Sequence, residues 1–167
     1  MQKLFVLLIV LIGASKIWVH DVKIKLEKVA FQSMKFSLQN SVHDASLFVV
    51  PNSVTSGKIV FDQIKAKQNF LDSMGHNIGL KQNMTLENNV LYTKPLTIVE
   101  EKYIDYNWID PSTGSLVKFP YTYNRVLPNG QLFSRVIFGP SVVFIVKTRV
   151  IGTTEDHEFI TIQEYKG

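Results

Sequence analysis

Cysteine is absent from the 167 residues of the chain. The protein therefore forms no disulfide, holds no thiolate-bound metal and uses no cysteine nucleophile. Arginine is scarce, with only Arg125, Arg135 and Arg149, and no motif of basic and aromatic residues accompanies them. Nucleic-acid binding consequently has little support, although the net charge is +4.

Motifs of catalysis and ligand binding are missing as well. The chain has no Gly-x-Ser-x-Gly elbow and no phosphate-binding loop that ends in Gly-Lys-Ser/Thr. Glu100 and Glu101 are neighbours on a predicted strand, so they face opposite sides and form no catalytic carboxylate pair. The histidines lack the spacing of metal ligands and lie at His20, His43, His76 and His157. We therefore expect no enzymatic activity, no cofactor and no metal.

Glycine and proline are missing between Ala14 and Val50, although the chain contains nine glycines and six prolines. In this stretch apolar residues recur at steps of three and four, which is typical of one face of a helix. These positions are Val19, Val22, Leu26, Val29 or Ala30, Met34, Leu38, Val42 and Ala45. The pattern predicts an amphipathic helix without a break.

Ahead of this helix lies the apolar run, Leu4–Ala14, which follows Lys3. Such a run behind one cation predicts a segment that inserts into a membrane. Eleven residues of helix cover about 16 Å, whereas the hydrocarbon core is about 30 Å thick. A full span therefore also needs Ser15 to Val19, with the Lys16 side chain reaching the interface. Together the two parts predict one helix over residues 1–47.

Two interpretations fit the apolar run. It is either a retained anchor or the core of a secretory signal peptide with Gly13-Ala14-Ser15 as its cleavage site. The unbroken amphipathic continuation favours retention.

The membrane orientation has two conflicting signals. A cation, an apolar run and small residues in this order are typical of a signal sequence and predict that the body lies outside the cell. The positive-inside rule, applied to the lysines that follow the run, predicts that the body lies in the cytoplasm; we expect an outside body. These lysines are Lys16, Lys23, Lys25, Lys28 and Lys35. They form a solvated helix face, or they contact anionic lipid headgroups or neighbouring subunits.

Residues 48–167 are predicted to form a globular body. Its first part contains a turn at Pro51-Asn52-Ser53, a short strand over Lys58–Phe61 and a polar connection over residues 81–89. A second helix is predicted over Gln63–Met74, with Asp62 as its N-cap and Gly75 at its end. Its buried face is predicted to consist of Ile64, Phe70, Leu71 and Met74.

Residues that favour strands dominate from Val90 onward. Turn signals at Asp110–Gly114, Pro128–Gly130 and Gly152–Asp156 separate the strand patterns. We therefore predict an α+β fold, in which a long N-terminal helix precedes one further helix and an antiparallel sheet of four to six strands. This half also contains a group of aromatic residues, Tyr103, Tyr106, Trp108, Tyr121 and Tyr123. The group forms either a surface on which a ligand stacks or the core and rim of the sheet.

An apolar segment that continues into a long amphipathic helix and then a small β-rich body resembles the lollipop plan of pilins and pilin-like proteins of type IV and Tad/Flp-type systems. Two stretches also resemble patterns in pilin-like membrane-anchored proteins of Gram-positive bacteria. One is Gly139–Val143, and the other runs from Gly57–Asp62 through Ala66, Phe70, Asn77 and Gly79–Leu80. Type IV pilins usually have a glutamate at the fifth mature position, where this chain has Phe5.

The resemblance implies a structural subunit or minor component of a bacterial surface filament. Such a protein is anchored in the membrane before assembly and then self-associates through its N-terminal helix. The alternatives are a bitopic scaffold of a secretion or conjugation machine, or a secreted binding domain if the apolar run is cleaved. The residues expected to anchor and assemble the protein are Phe5, Leu8, Leu11, Ile12, Val19, Val22, Leu26 and Val29.

Overall fold

The computed structural model describes residues 2–86 and 90–166, apart from the side chains of Gln2 and Phe5. Its first element, α1 (Gln2–Ser46), is a single helix of 45 residues, which corresponds to about 68 Å at 1.5 Å per residue. The predicted long helix is therefore confirmed, and only its predicted first residue, Met1, lies outside the described residues. The helix continues without interruption because neither glycine nor proline occurs after Gly13 in this element.

Two shorter helices follow. The first, α2 (Pro51–Thr55), begins with its proline, because a proline at the first position of a helix loses no backbone hydrogen bond. The sequence predicted only a turn here. The strand predicted over Lys58–Phe61 is wrong, since the described structure has only an isolated bridge between Val49 and Phe61 in this region.

The helix α3 (Gln63–Ile78) has the predicted N-cap, because the Asp62 carboxylate accepts a hydrogen bond from the backbone N–H of Lys65 at 3.2 Å. Its predicted end at Gly75 is wrong. The helix continues to Gly79, which adopts the left-handed conformation with φ 66°. The buried face consists of Ala66, Phe70, Met74 and Ile78, whereas Ile64, predicted to be buried, is exposed.

The strands are β1 (Thr97–Ile104), β2 (Ile109–Asp110), β3 (Ser115–Leu116), β4 (Tyr121–Val126), β5 (Leu132–Ile137), β6 (Ser141–Thr148) and β7 (His157–Glu164). They form one antiparallel sheet in the order β1-β6-β7 and two separate hairpins, β2-β3 and β4-β5. The predicted hairpin turns are confirmed. The predicted single sheet of four to six strands is wrong, because β4-β5 packs on a face of the described three-stranded sheet and does not extend its edge.

The central strand β6 contributes to two hydrophobic cores because its side chains alternate between the faces of the sheet. Val142, Phe144 and Val146 belong to the core that contains α1 and α3. Val143 and Ile145 belong to a second core, shared with the β4-β5 hairpin. The body therefore has three layers, in which the sheet lies between the helices and the hairpin.

The second half of α1 is part of the first core. A buried stripe at steps of four and three packs α1 against α3, β6 and β7, and it consists of Ala30, Met34, Leu38, Val42 and Ala45. The Tyr92 hydroxyl also donates a hydrogen bond to the backbone oxygen of Ala30 at 3.0 Å. Behind the stripe, the rings of Phe70 and Phe144 stack with their centroids 3.8 Å apart.

This packing predicts that burial decides the cost of a substitution in α1. Leu38→Ala removes a fully buried side chain and should lower the free energy of unfolding by about 2–5 kcal/mol. Phe36→Ala removes a larger but exposed side chain two positions away and should change the free energy by less than about 0.5 kcal/mol. Urea unfolding followed by circular dichroism measures both values, and equal losses would contradict the packing of this helix.

Candidate functional site

The first part of α1 lies away from the body. In the distal segment, defined as Leu4–Val19, every described side chain is exposed. The exposed fractions of Leu8 and Leu11 are 54% and 65%. Seven consecutive large apolar residues, 6 to 12, make almost two turns of helix and point in every direction around its axis. The apolar surface therefore surrounds the helix and is not confined to one face.

The residues predicted to anchor and assemble the protein fall into two groups. Leu8, Leu11, Ile12 and Val19 lie in the distal segment and are exposed, and the side chain of Phe5 lies outside the described residues. The second group lies where the body begins to cover α1 and comprises Val22, Leu26 and Val29. Val22 and Leu26 are half-buried, whereas Val29 is exposed beside the buried Ala30.

The boundary between the two parts of α1 lies near Lys23. A Cβ atom placed on Gly152, in the turn between β6 and β7, would lie 3.1 Å from Cε of Lys23. The body therefore reaches α1 at this point and covers it as far as Ser46. One helix thus changes from a fully exposed apolar rod to a core element within about two turns.

One residue of this region was missed among the predicted anchor residues. Trp18 is 69% exposed and lies four residues beyond the apolar run. A tryptophan beside a lysine at the end of an apolar run is typical of a membrane-interface residue. That pattern was visible in the sequence at Lys16, Ile17 and Trp18.

Over the described residues, none of the helices combines the length and the apolarity that crossing a membrane requires.

The aromatic residues of the second half do not form one surface. Tyr103 packs beside Phe61 and Phe144 in the core that contains the helices. Tyr123 packs beside Phe133 in the core shared with the hairpin. The five predicted aromatic residues thus serve as core and rim of the sheets, with two of them, Tyr103 and Tyr123, buried.

A network of charged side chains joins the β4-β5 hairpin to the three-stranded sheet. Arg125 of β4 pairs with Glu100 of β1 and, at 3.0 Å, with Glu158 of β7. The Tyr123 hydroxyl donates to Glu100 at 2.6 Å, and the Lys102 ammonium lies 2.7 Å from the same carboxylate. Because β1 and β7 are the two outer strands of the sheet, Arg125 ties the hairpin to both sides of it.

The ionisation of this network suits a structural role. Burial by itself raises the pKa of Glu100. Hydrogen bonds from Lys102 and Tyr123, together with the charges of Lys102 and Arg125, outweigh burial, so the pKa of the Glu100 carboxyl lies below its usual value. Burial also raises the pKa of Tyr123, and the hydrogen bond to Glu100 raises it further. A carboxylate held in its ionised form by its neighbours is a poor general acid.

A concave surface lies between α1 and β7. It has a volume of about 390 Å³ and is lined by apolar and polar side chains that include Phe31, Lys35 and Phe159. The His157 ring lies edge-on to Phe31 with the centroids 4.9 Å apart. Within residues 2–86 and 90–166, no group of three or more histidine, aspartate or glutamate side chains is placed to hold a metal ion.

Comparisons of the chain with protein-family models, curated proteins and solved structures give no match. Function is therefore inferred from the residues and their geometry.

The charge network predicts a pH-dependent contribution to stability. Glu100→Gln should lower the free energy of unfolding by about 1–3 kcal/mol at neutral pH, because it removes one partner of partly buried charged groups. The pKa of Glu100 is lower in the folded protein than its ordinary value of 4.5. Its contribution is therefore fully present above that value and is lost as the pH falls through the folded pKa.

Denaturant unfolding of the wild type and of Glu100→Gln across acidic and neutral pH measures this difference. Glu155→Gln is the control, because Glu155 is exposed and makes no ion pair among the described contacts. A difference between wild type and Glu100→Gln that stays constant down to acidic pH would contradict the assigned ionisation.

Proposed function

We propose that the protein is a structural subunit or minor component of a pilus-like filament on a bacterial surface. It is held in the membrane through the distal segment before assembly and then packs this segment against those of neighbouring subunits. The observation that carries the proposal is the division of α1. Its second half packs one buried stripe against the body, whereas the apolar residues of the distal segment are exposed around the whole helix.

A helix that is apolar on all sides is stable only when it is surrounded, either by lipid or by other protein. A single partner covers one face of the distal segment and leaves the other faces in water. Successive helix residues lie about 100° apart around the axis, so several neighbours are needed to cover Leu8, Ile9 and Val10 together. If such contacts are head-to-tail and the rotation between neighbours does not close a ring, they generate open helical filaments.

The energy gained by removing the distal segment from water is large enough to keep it covered. Burying one exposed leucine or isoleucine side chain yields about 1.5–3 kcal/mol. The segment exposes ten described large apolar residues between Leu4 and Trp18, and Val19 adds one more. Relative to water, their combined burial exceeds the cost of association, which is about 4–15 kcal/mol. From the membrane-bound state, assembly exchanges one apolar environment for another, and close packing between the helices favours it.

The arrangement of the body supports the same proposal. The body covers α1 only from near Lys23 to Ser46. It consequently leaves the distal segment accessible from all sides, so that segments of several copies can approach each other closely. The bodies then lie outside the assembled helices and face solvent.

Charges placed in the distal segment should abolish filaments. In Leu8→Lys/Leu11→Lys two exposed apolar residues become cations that would be buried among neighbouring subunits, at a cost that assembly does not offset. Val126→Lys/Leu132→Lys is the matched control, because these body residues are exposed by 67% and 65%. Electron microscopy after detergent removal should show filaments of the wild type and of the control but not of the distal variant. Closed rings of constant size from the wild type would instead indicate the scaffold alternative.

Removal of residues 1–20 should leave a folded monomer. Every described side chain in this stretch is exposed, and the fully buried residues of α1 begin at Ala30. The melting temperature should therefore equal that of the full chain in detergent, and analytical ultracentrifugation should show a single monomeric species. Native filaments formed by the shortened chain would refute assembly through the distal segment.

A further inference from the structure

We propose that the end of the distal segment recognises an anionic bilayer surface. Lys16, His20 and Lys23 contact negatively charged lipid headgroups, and Trp18 lies at the level of the headgroups. This inference rests on the proposed function, because it concerns the membrane-bound state that precedes assembly. It adds the class of lipid and the residues that select it.

The basic residues share one side of α1. Lys16, His20 and Lys23 follow each other at steps of four and three, so they lie along one helix face. Together with Ser15 and Val19 they line a shallow depression of about 300 Å³. This depression combines two cationic groups with an imidazole, which are suitable partners for a phosphate-bearing headgroup.

The local charge balance favours an anionic surface. Between residues 15 and 30 the chain has four lysines and only two acidic residues, Asp21 and Glu27. Asp21 pairs with Lys25 at 2.8 Å, and both side chains are exposed. Lys25 lies nine residues after Lys16, which places it on the opposite side of the helix. Four lysines against two acidic residues leave this stretch with a net charge of +2 just beyond the apolar run.

The distances along α1 match the layers of a bilayer. The hydrocarbon span that includes Ser15 to Val19 ends beside Trp18. Lys23 lies four residues past Val19, which is about 6 Å along the axis, and the headgroup layer on each side of a bilayer is about 5–7 Å thick. Helix side chains lean towards the amino end, so the ammonium group of Lys23 reaches back into this layer. Lys16 lies within the span, and its flexible stem carries the ammonium group to the interface. Tryptophan rings prefer this layer because one edge is polar and the rest apolar.

Tryptophan fluorescence of the full chain tests the inference, because Trp18 and Trp108 are its only tryptophans. With Trp108→Phe, the emission reports Trp18 alone. We expect a larger blue shift and tighter binding with vesicles of phosphatidylcholine and phosphatidylglycerol than with phosphatidylcholine alone, and the difference should shrink at high salt. Since Trp108 packs against Tyr121, vesicle co-sedimentation of the unchanged chain provides a second measurement that does not depend on this substitution.

Two double variants separate specific from general charge effects. A lysine near an anionic surface strengthens binding about fivefold, so Lys16→Gln/Lys23→Gln should bind the anionic vesicles about 25-fold more weakly. Lys58→Gln/Lys118→Gln removes the same charge from exposed positions of the body and should bind like the wild type. Equal losses in both variants, or equal wild-type binding to the two kinds of vesicle, would overturn the inference.

The same samples distinguish this inference from the proposed function. Filaments of the wild type without any preference for phosphatidylglycerol would overturn only the lipid assignment. A preference for phosphatidylglycerol that depends on Lys16 and Lys23, in a protein that forms no filaments, would support the lipid assignment and overturn the filament proposal.

Discussion

The buried stripe on α1 is the contact on which the other parts of the molecule depend. From Ala30 to Ala45 it meets α3 and the face of the sheet that carries Phe144. These side chains are fully buried, so the sheet, α3 and the helix hold each other in place through one core. The same contact fixes the position at which the body ends and the distal segment emerges.

The hairpin layer needs a different kind of support. An isolated pair of strands such as β4-β5 is at best marginally stable in water. Here the hairpin gains a small core with Ile137 and Tyr123 against Val143 and Ile145 of β6. Arg125 adds ion pairs to Glu100 and Glu158 on the two outer strands. Apolar burial supplies most of the stability, and the charged contacts fix where the hairpin sits.

The division of α1 also separates the part of the helix that folding uses from the part proposed for assembly. Folding uses the half that begins near Lys23, whereas the proposed anchoring and assembly use the half that ends at Val19. No proline or glycine lies between these halves to cause a sharp kink. The bodies of assembled subunits would therefore be placed by the packing of their distal segments.

The sequence alone determined the features that depend on neighbouring residues. The absence of glycine and proline after Gly13 predicted α1, the Asp62 carboxylate predicted the start of α3, and Pro128–Gly130 predicted the turn before β5. Those signals act within a few residues, so no distant contact can cancel them easily. The apolar run predicted a segment that inserts into a membrane, and this stays a prediction.

Only the tertiary structure decided which elements meet. Both Gly75 and Gly79 could end the helix as far as the sequence shows, but α3 ends at Gly79. Gly75 packs closely instead: a Cβ atom placed on it would lie 3.2 Å from the backbone oxygen of Leu80. The strand patterns did not reveal that the β4-β5 hairpin packs on the face of the sheet. Alternating apolar and polar residues fit a hairpin that extends the edge of a sheet as well as one that packs on its face. Arg125 and Glu158 are 33 positions apart in the sequence. They meet only because both hydrophobic cores pack as they do, and local sequence patterns do not predict that packing.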